Sequence, residues 1–126
     1  MAITRTLNYR GKLAQAVAGL DPIVLITHIA IGNGGVDTNG VPKPLTGNET
    51  ELFNEVLRKP VTATMPDART VRYSLAVQAE TDGITGMGIN EIALFDSQGE
   101  LAAIKTTTTK NMEATDALDF DFDALF

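Results

Sequence analysis

Between Val71 and Ala79 the side chains alternate: Val71, Tyr73, Leu75, Val77 and Ala79 share one parity, opposite Arg72, Ser74 and Gln78. A period of two marks a strand with one face in a core and the other in water. The stretch from Leu118 to Phe126 repeats the pattern, with Leu118, Phe120, Phe122 and Ala124 opposite Asp119, Asp121 and Asp123. A slip of one residue would turn either segment inside out, so the two stretches constrain the fold strongly. Between them, Ile89 to Phe95 and Leu101 to Thr106 are apolar runs joined by Asp96-Ser-Gln-Gly99, a connection short enough for a hairpin. Val61 to Thr64 is a shorter candidate, confined by Pro60 to an edge or a strand start.

The first half reads differently. From about Thr4 to Gly19 the spacing of Leu7, Leu13, Val17 and Leu20, with Ala14, Ala16 and Ala18 between, predicts a helix that Gly19 and Asp21-Pro22 end. Ile23 to Ile31 is β-branched and apolar on both parities, which suits a strand covered on both faces. A loop follows from about 32 to 48, rich in Gly, Asn and Pro, and a short helix is predicted from Thr50 to Leu57 with Thr50 as its N-cap. The expectation is one α+β domain over 1–126: an N-terminal helix plus a mainly antiparallel sheet, strand-dominated over about 61–126.

Composition narrows the chemistry. A chain of 126 residues with 44% hydrophobic and 21% charged content can bury one modest core. The absence of cysteine removes disulfides, thiolate metal sites and thiol catalysis. A net charge of −6 and a pI near 4.6 argue against nucleic acid as a partner, because phosphate contact needs a basic surface. No apolar run approaches the roughly 18 residues of a membrane span, so no insertion is expected.

Individual residues carry few catalytic signals. His28 is the single histidine and lies in an apolar strand; Ser74 and Ser97 lack the context of a nucleophile. The Gly32 to Gly40 segment lacks the Lys-Ser/Thr of a phosphate loop, and the acid that would close a calcium loop is missing near Thr46. No catalytic residue, cofactor or metal site is therefore expected. Two groups stand out instead. The acidic-aromatic end (Asp119, Asp121, Asp123, Phe120, Phe122 and Phe126) is a candidate assembly surface. Glu55, Arg58 and Glu91 are a candidate polar network, since a carboxylate at Glu91, within an apolar strand, needs Arg58 or a backbone donor as partner.

Three blocks carry a resemblance: Ala30-Ile31-Gly32-Asn33-Gly34-Gly35, then Thr50-Glu-Leu-Phe-Asn-Glu-Val-Leu-Arg58, then Gly88-Ile-Asn-Glu-Ile-Ala-Leu-Phe-Asp96 followed by Gly99-Glu-Leu-Ala-Ala103. In this order and spacing they are similar to the N-terminal attachment domain of phage tail-collar fibre proteins, including those of P2-like phages, over about Ala16 to Ala103. The chain departs from the family's usual pattern at Thr85-Gly86, Met87 and Asn90, where adjacent glycines, an aromatic and an arginine are common. It departs again at Thr106 to Lys110, where a Tyr-Lys-Pro-like segment is usual. The resemblance implies a structural protein of a phage or prophage tail, made in the bacterial cytoplasm and carried in the virion. It would join fibre and baseplate by protein–protein contact, as a homo-oligomer with a trimer favoured. The sequence given stops at Phe126, short of a fibre shaft, which shifts the expectation toward an adaptor. The alternative is a module that binds carbohydrate or another receptor on the host surface.

Overall fold

The computed structural model describes residues 4–126. In chain order they form β1 (Thr4–Arg5), α1 (Leu7–Val17), β2 (Ile26–Gly32), β3 (Glu55–Pro60), β4 (Thr62–Asp67), β5 (Thr70–Gln78), β6 (Gly88–Asp96), β7 (Leu101–Asn111) and β8 (Ala117–Leu125). The strands make two antiparallel sheets, a larger one in the order β1-β7-β6-β2-β3 and a smaller one in the order β4-β5-β8. The architecture is mostly β, and the helix is a minor part of what was expected to be an α+β fold.

The alternating segments become the small sheet. In β5 and β8 the parity of Leu75, Val77 and Phe122 faces inward, and these three are almost wholly buried. They meet Ile29, Ile31, Ile92 and Leu94 from one face of the large sheet, forming the main core. The other face of the large sheet carries Ala30, Ala93, Phe95, Leu101 and Ile104, which pack with Leu52 and Leu45 from the segment between β2 and β3. That second layer explains why β2 and β6 are apolar on both parities. Every residue of β6 from Ile89 to Asp96 is buried.

Helix α1 is shorter than its composition suggests. Thr6 caps it, accepting from the Tyr9 N–H at 3.2 Å and donating to the Leu101 carbonyl at 2.8 Å. Tyr9 is buried and its hydroxyl donates to the Val24 carbonyl at 2.8 Å, while Leu13 is half-buried. Leu7, Val17 and Leu20, whose spacing entered the helix prediction, are exposed. Gly19, at φ +76, ends the helix in the left-handed conformation that glycine adopts without strain.

The helix predicted from Thr50 to Leu57 does not form; Glu55–Pro60 is strand β3, paired with β2. The amides of Phe53 and Asn54, which a helix would direct along its own axis, are held by the Glu91 carboxylate. A tertiary anchor outweighs the weak preference of a single short helix. Val61 crosses directly from β3 to β4, so the two edge strands are one stretch of chain that leaves one sheet for the other. Pro60 and Pro66 withhold donors from these edges, and pairing of β4 with β5 is irregular between Thr64 and Asp67.

Candidate functional site

The long segment between β2 and β3 is anchored at many points. Glu91 projects from the middle of β6 toward it and is fully buried. One carboxylate oxygen, Oε2, accepts from the Gly34 N–H at 2.9 Å and the Asn54 N–H at 2.8 Å; Oε1 accepts from the Phe53 N–H at 2.8 Å. Charge-assisted bonds of this kind are about twice as strong as neutral ones. Its neighbour Asn90 accepts from the Gly35 N–H at 2.7 Å and donates to Thr109 Oγ1 at 3.2 Å. Backbone packs tightly here: a Cβ on Gly35 would strike the Asn90 carbonyl, and one on Gly32 would strike the Asn54 carbonyl and the Glu91 carboxylate.

The rest of the segment is tied as well. Thr106 Oγ1 donates to the Lys43 carbonyl at 2.8 Å, and the Leu7 N–H donates to the Gly47 carbonyl at 2.8 Å. Asp37 closes a small hairpin, with Oδ1 accepting from the Asn39 and Val41 amides at 2.8 and 3.0 Å. Burial raises the Glu49 carboxyl, but hydrogen bonds from Thr46 and Gly47 outweigh it and hold the pKa below its ordinary value. The result is a preorganised platform whose outward groups include Val41, Phe53 and Lys43, the last with its ammonium 4.4 Å from the Phe53 ring centre.

Of the predicted polar network, Glu91 takes the backbone donors and not Arg58. Arg58 and Glu55 do pair, Nη2 to Oε1 at 2.7 Å, along strand β3 and not along a helix face. The Arg58 guanidinium lies 3.6 Å from the centre of the Phe95 ring. The three residues therefore act as two separate units.

The predicted assembly surface also divides. Phe122 is wholly buried in the main core and offers no contact surface, while Phe120 is partly buried beside it. Asp119 and Asp121 are exposed on the outer face, with Asp123 half-buried. Arg72 meets Asp123 through two bonds, Nε to Oδ1 at 2.9 Å and Nη2 to Oδ2 at 3.0 Å, which holds the Asp123 carboxyl below the usual carboxylate range. Ser74 Oγ donates to Asp121 at 2.7 Å. Among the described residues, no cluster suited to holding a metal ion is found. Phe126 is 65% exposed, beneath the guanidinium of Arg5.

Lys105 reaches from β7 across to β8, where Nζ donates to the Asp121 carbonyl at 2.9 Å; burial pulls its pKa down and the charges of Asp123 and Asp121 partly restore it. A groove of about 580 Å³ opens between α1 and β8, lined by Arg5, Arg10, Tyr73 and Phe122 among others. His28 is half-buried in β2 with Thr27 Oγ1 2.9 Å from its Nδ1. Among the described residues its only side-chain hydrogen bond is with Thr27, whereas Ser74 is engaged by Asp121.

Sequence reasoning missed Asn90, although it sits beside Glu91 in an apolar strand, and it missed Lys12. Lys12 contacts the buried Asp96 at 2.6 Å and Glu100 at 2.8 Å. Burial lowers the Lys12 pKa, and the bonds to Asp96 and Glu100 more than reverse this and hold it above the ordinary value. A polar residue inside an apolar run was the available signal for Asn90. Nothing local announced Lys12, whose partner is distant in sequence.

These features define a β-sandwich scaffold in which the buried polar groups hold the chain's own loop in a fixed shape. Residues 1–117 match the phage tail-collar fibre protein, N-terminal domain, and the chain belongs to that family. It is thus a structural component of a phage tail fibre, with the virion tail as its place. The match includes α1 and the β6–β7 hairpin and ends where β8 begins, although β8 completes the small sheet. No curated relative and no solved structure matches the chain.

Proposed function

We propose that the chain is a non-enzymatic assembly module that joins tail fibre to baseplate through protein–protein contact, with its copies gathered as a homotrimer. The observation that carries this reading is the platform held by Glu91: a buried carboxylate orders a long surface segment before any partner arrives. Preorganisation lowers the ordering cost of association, which is what a repeatedly assembled connector requires. The exposed Asp119, Asp121 and Phe126 offer a second contact area on the opposite sheet. The test is co-purification of the full chain with the fibre and baseplate proteins of the same tail. A stable complex supports the proposal, and a strict monomer that binds no tail component overturns it.

The groove that carries Tyr73 with Arg5 and Arg10 favours one other reading, a host-surface carbohydrate site, since sugars stack on aromatic rings and bond to arginine. Binding of the isolated protein to a glycan array, lost on Tyr73→Ala, would support that alternative.

A further inference from the structure

The groove between α1 and β8 brings together two arginines that no carboxylate meets. Arg5 and Arg10 both line it, and neither forms an ion pair among the described residues. Arg5 is nevertheless held in place. Its Nη2 donates to the Leu125 carbonyl at 2.6 Å, and its guanidinium lies 4.8 Å from the centre of the Phe126 ring. A guanidinium has five N–H donors, so this one bond leaves most of them unused. Arg10 is exposed on the helix. Asp123 lines the groove too, but Arg72 takes its carboxylate through two bonds, Nε to Oδ1 and Nη2 to Oδ2. The groove is therefore positive on a protein of net charge −6. A cleft lined by one sign of charge concentrates ions of the other.

Uncharged hydrogen-bonding groups face the same space. The half-buried Tyr73 lines the groove, and no hydrogen bond engages its hydroxyl among the described residues. No buried side-chain oxygen is left unpaired there, so this hydroxyl reaches solvent. Burial raises its pKa and the charge of Arg5 only partly offsets this, which keeps the proton on and the group a donor. Strand β8 adds backbone groups, because it is the edge of the small sheet. The Phe126 N–H donates to the Arg69 carbonyl, so the even-numbered residues of β8 bond to β5 and the odd-numbered ones point to the free edge. The carbonyls of Asp121 and Leu125 accordingly accept from Lys105 and Arg5. The N–H and carbonyl of Asp123, between them, point the same way and have no partner in the sheet.

We propose that this groove binds an acidic sugar, a ring whose carboxylate or phosphate is held by Arg5 and Arg10. The proposal rests on the carbohydrate reading of the groove and names the class of sugar. An arginine fork matches either anion with two parallel bonds. The ring lies against Tyr73 and Ile26, both half-buried in the wall, and its hydroxyls meet the Tyr73 hydroxyl and the Asp123 backbone. The volume of about 580 Å³ suits a small molecule, whose sites span roughly 300–1,000 Å³. A neutral sugar leaves both arginines without an anion, and a bare inorganic anion leaves the ring wall uncovered.

The test is titration of the full chain, followed by NMR, with glucuronate, glucose 6-phosphate, glucose and inorganic phosphate. At least one of the two acidic sugars should bind about tenfold more tightly than glucose and than inorganic phosphate, as a charge-assisted bond to arginine implies. Arg10→Gln, with its fold verified by circular dichroism, should abolish that advantage; Lys110→Gln, a cation outside the groove, should keep it. Glucose binding as tightly as both acids overturns the proposal and leaves the carbohydrate reading standing, whereas binding of no sugar removes both. Inorganic phosphate binding as tightly as glucose 6-phosphate also overturns it, as does an advantage that survives Arg10→Gln.

Discussion

Replacing Glu91 with glutamine keeps the side chain's shape but leaves one acceptor oxygen where there were two. In the native protein Oε2 serves Gly34 and Asn54, and Oε1 serves Phe53. The amide oxygen of the substituted side chain can retain the pair, and its NH2 group then faces the Phe53 N–H, donor against donor. An unpaired buried donor costs about 1–3 kcal/mol, and the two remaining bonds each weaken by about 1 kcal/mol when the acceptor loses its charge. The sum is about 3–5 kcal/mol, which for a domain of this size lowers the melting temperature by about 10–20 °C. Glu91→Ala leaves three buried donors unpaired around a cavity, at about 5 kcal/mol, comparable with the whole stability of many domains. Thermal unfolding followed by circular dichroism measures the shift. Amide hydrogen exchange locates it: Gly34, Phe53 and Asn54 should lose protection first, while amides between β6 and β7 keep theirs. A Glu91→Gln protein that melts within about 2 °C of the parent, with the Phe53 amide still protected, would refute the clamp.

Further outcomes follow from the same geometry. Phe122→Ala should cost about 3–5 kcal/mol in urea unfolding, whereas Phe126→Ala should stay within about 0.5 kcal/mol, because one ring is in the core and the other at the surface. Gly35→Ala should destabilise by about 1–3 kcal/mol, since its Cβ has no room beside the Asn90 carbonyl and Glu91. Acid should weaken the fold through Asp82, held below its ordinary 3.8 by the hydrogen bond from Lys59, and through Glu49, held below its ordinary 4.5. Folded values below the unfolded ones mean that this contribution is complete above the unfolded pKa and is lost as the pH falls through the folded pKa. The melting temperature should therefore change little near neutrality and decline below about pH 4.5, less steeply in Asp82→Asn.

Much of the sheet was legible in the sequence. The parity of Val71 to Ala79 and of Leu118 to Ala124 predicted which side chains turn inward, and Phe122, Leu75 and Val77 do so. The apolar runs around Asp96 and Gly99 predicted the β6–β7 hairpin, with Gly99 at φ +78 in its turn. These inferences work because strand periodicity and turn chemistry are local properties. The three blocks that carry the family resemblance are the same elements that build the platform: the glycines, the segment that Glu91 holds, and β6 itself.

The errors share a cause. Thr50 to Leu57 carries a local helical pattern, yet the Phe53 and Asn54 amides turn to a carboxylate thirty-eight and thirty-seven residues away. The spacing of Leu7, Val17 and Leu20 pointed to a helix, but spacing alone cannot say on which side of it the protein lies, and all three are exposed. Phe120, Phe122 and Phe126 read as one surface because the sequence cannot say where a second sheet will stand. By itself, the sequence determined most of the strands but not β3, the inward faces of β5 and β8, the β6–β7 hairpin and the family. Tertiary structure alone decided that Glu91 is a clamp for the loop, that Phe122 is core, and that α1 packs through Tyr9 and Leu13 while Leu7 and Val17 stay exposed. Periodicity encodes which residues share a face; only packing between distant segments determines what that face meets.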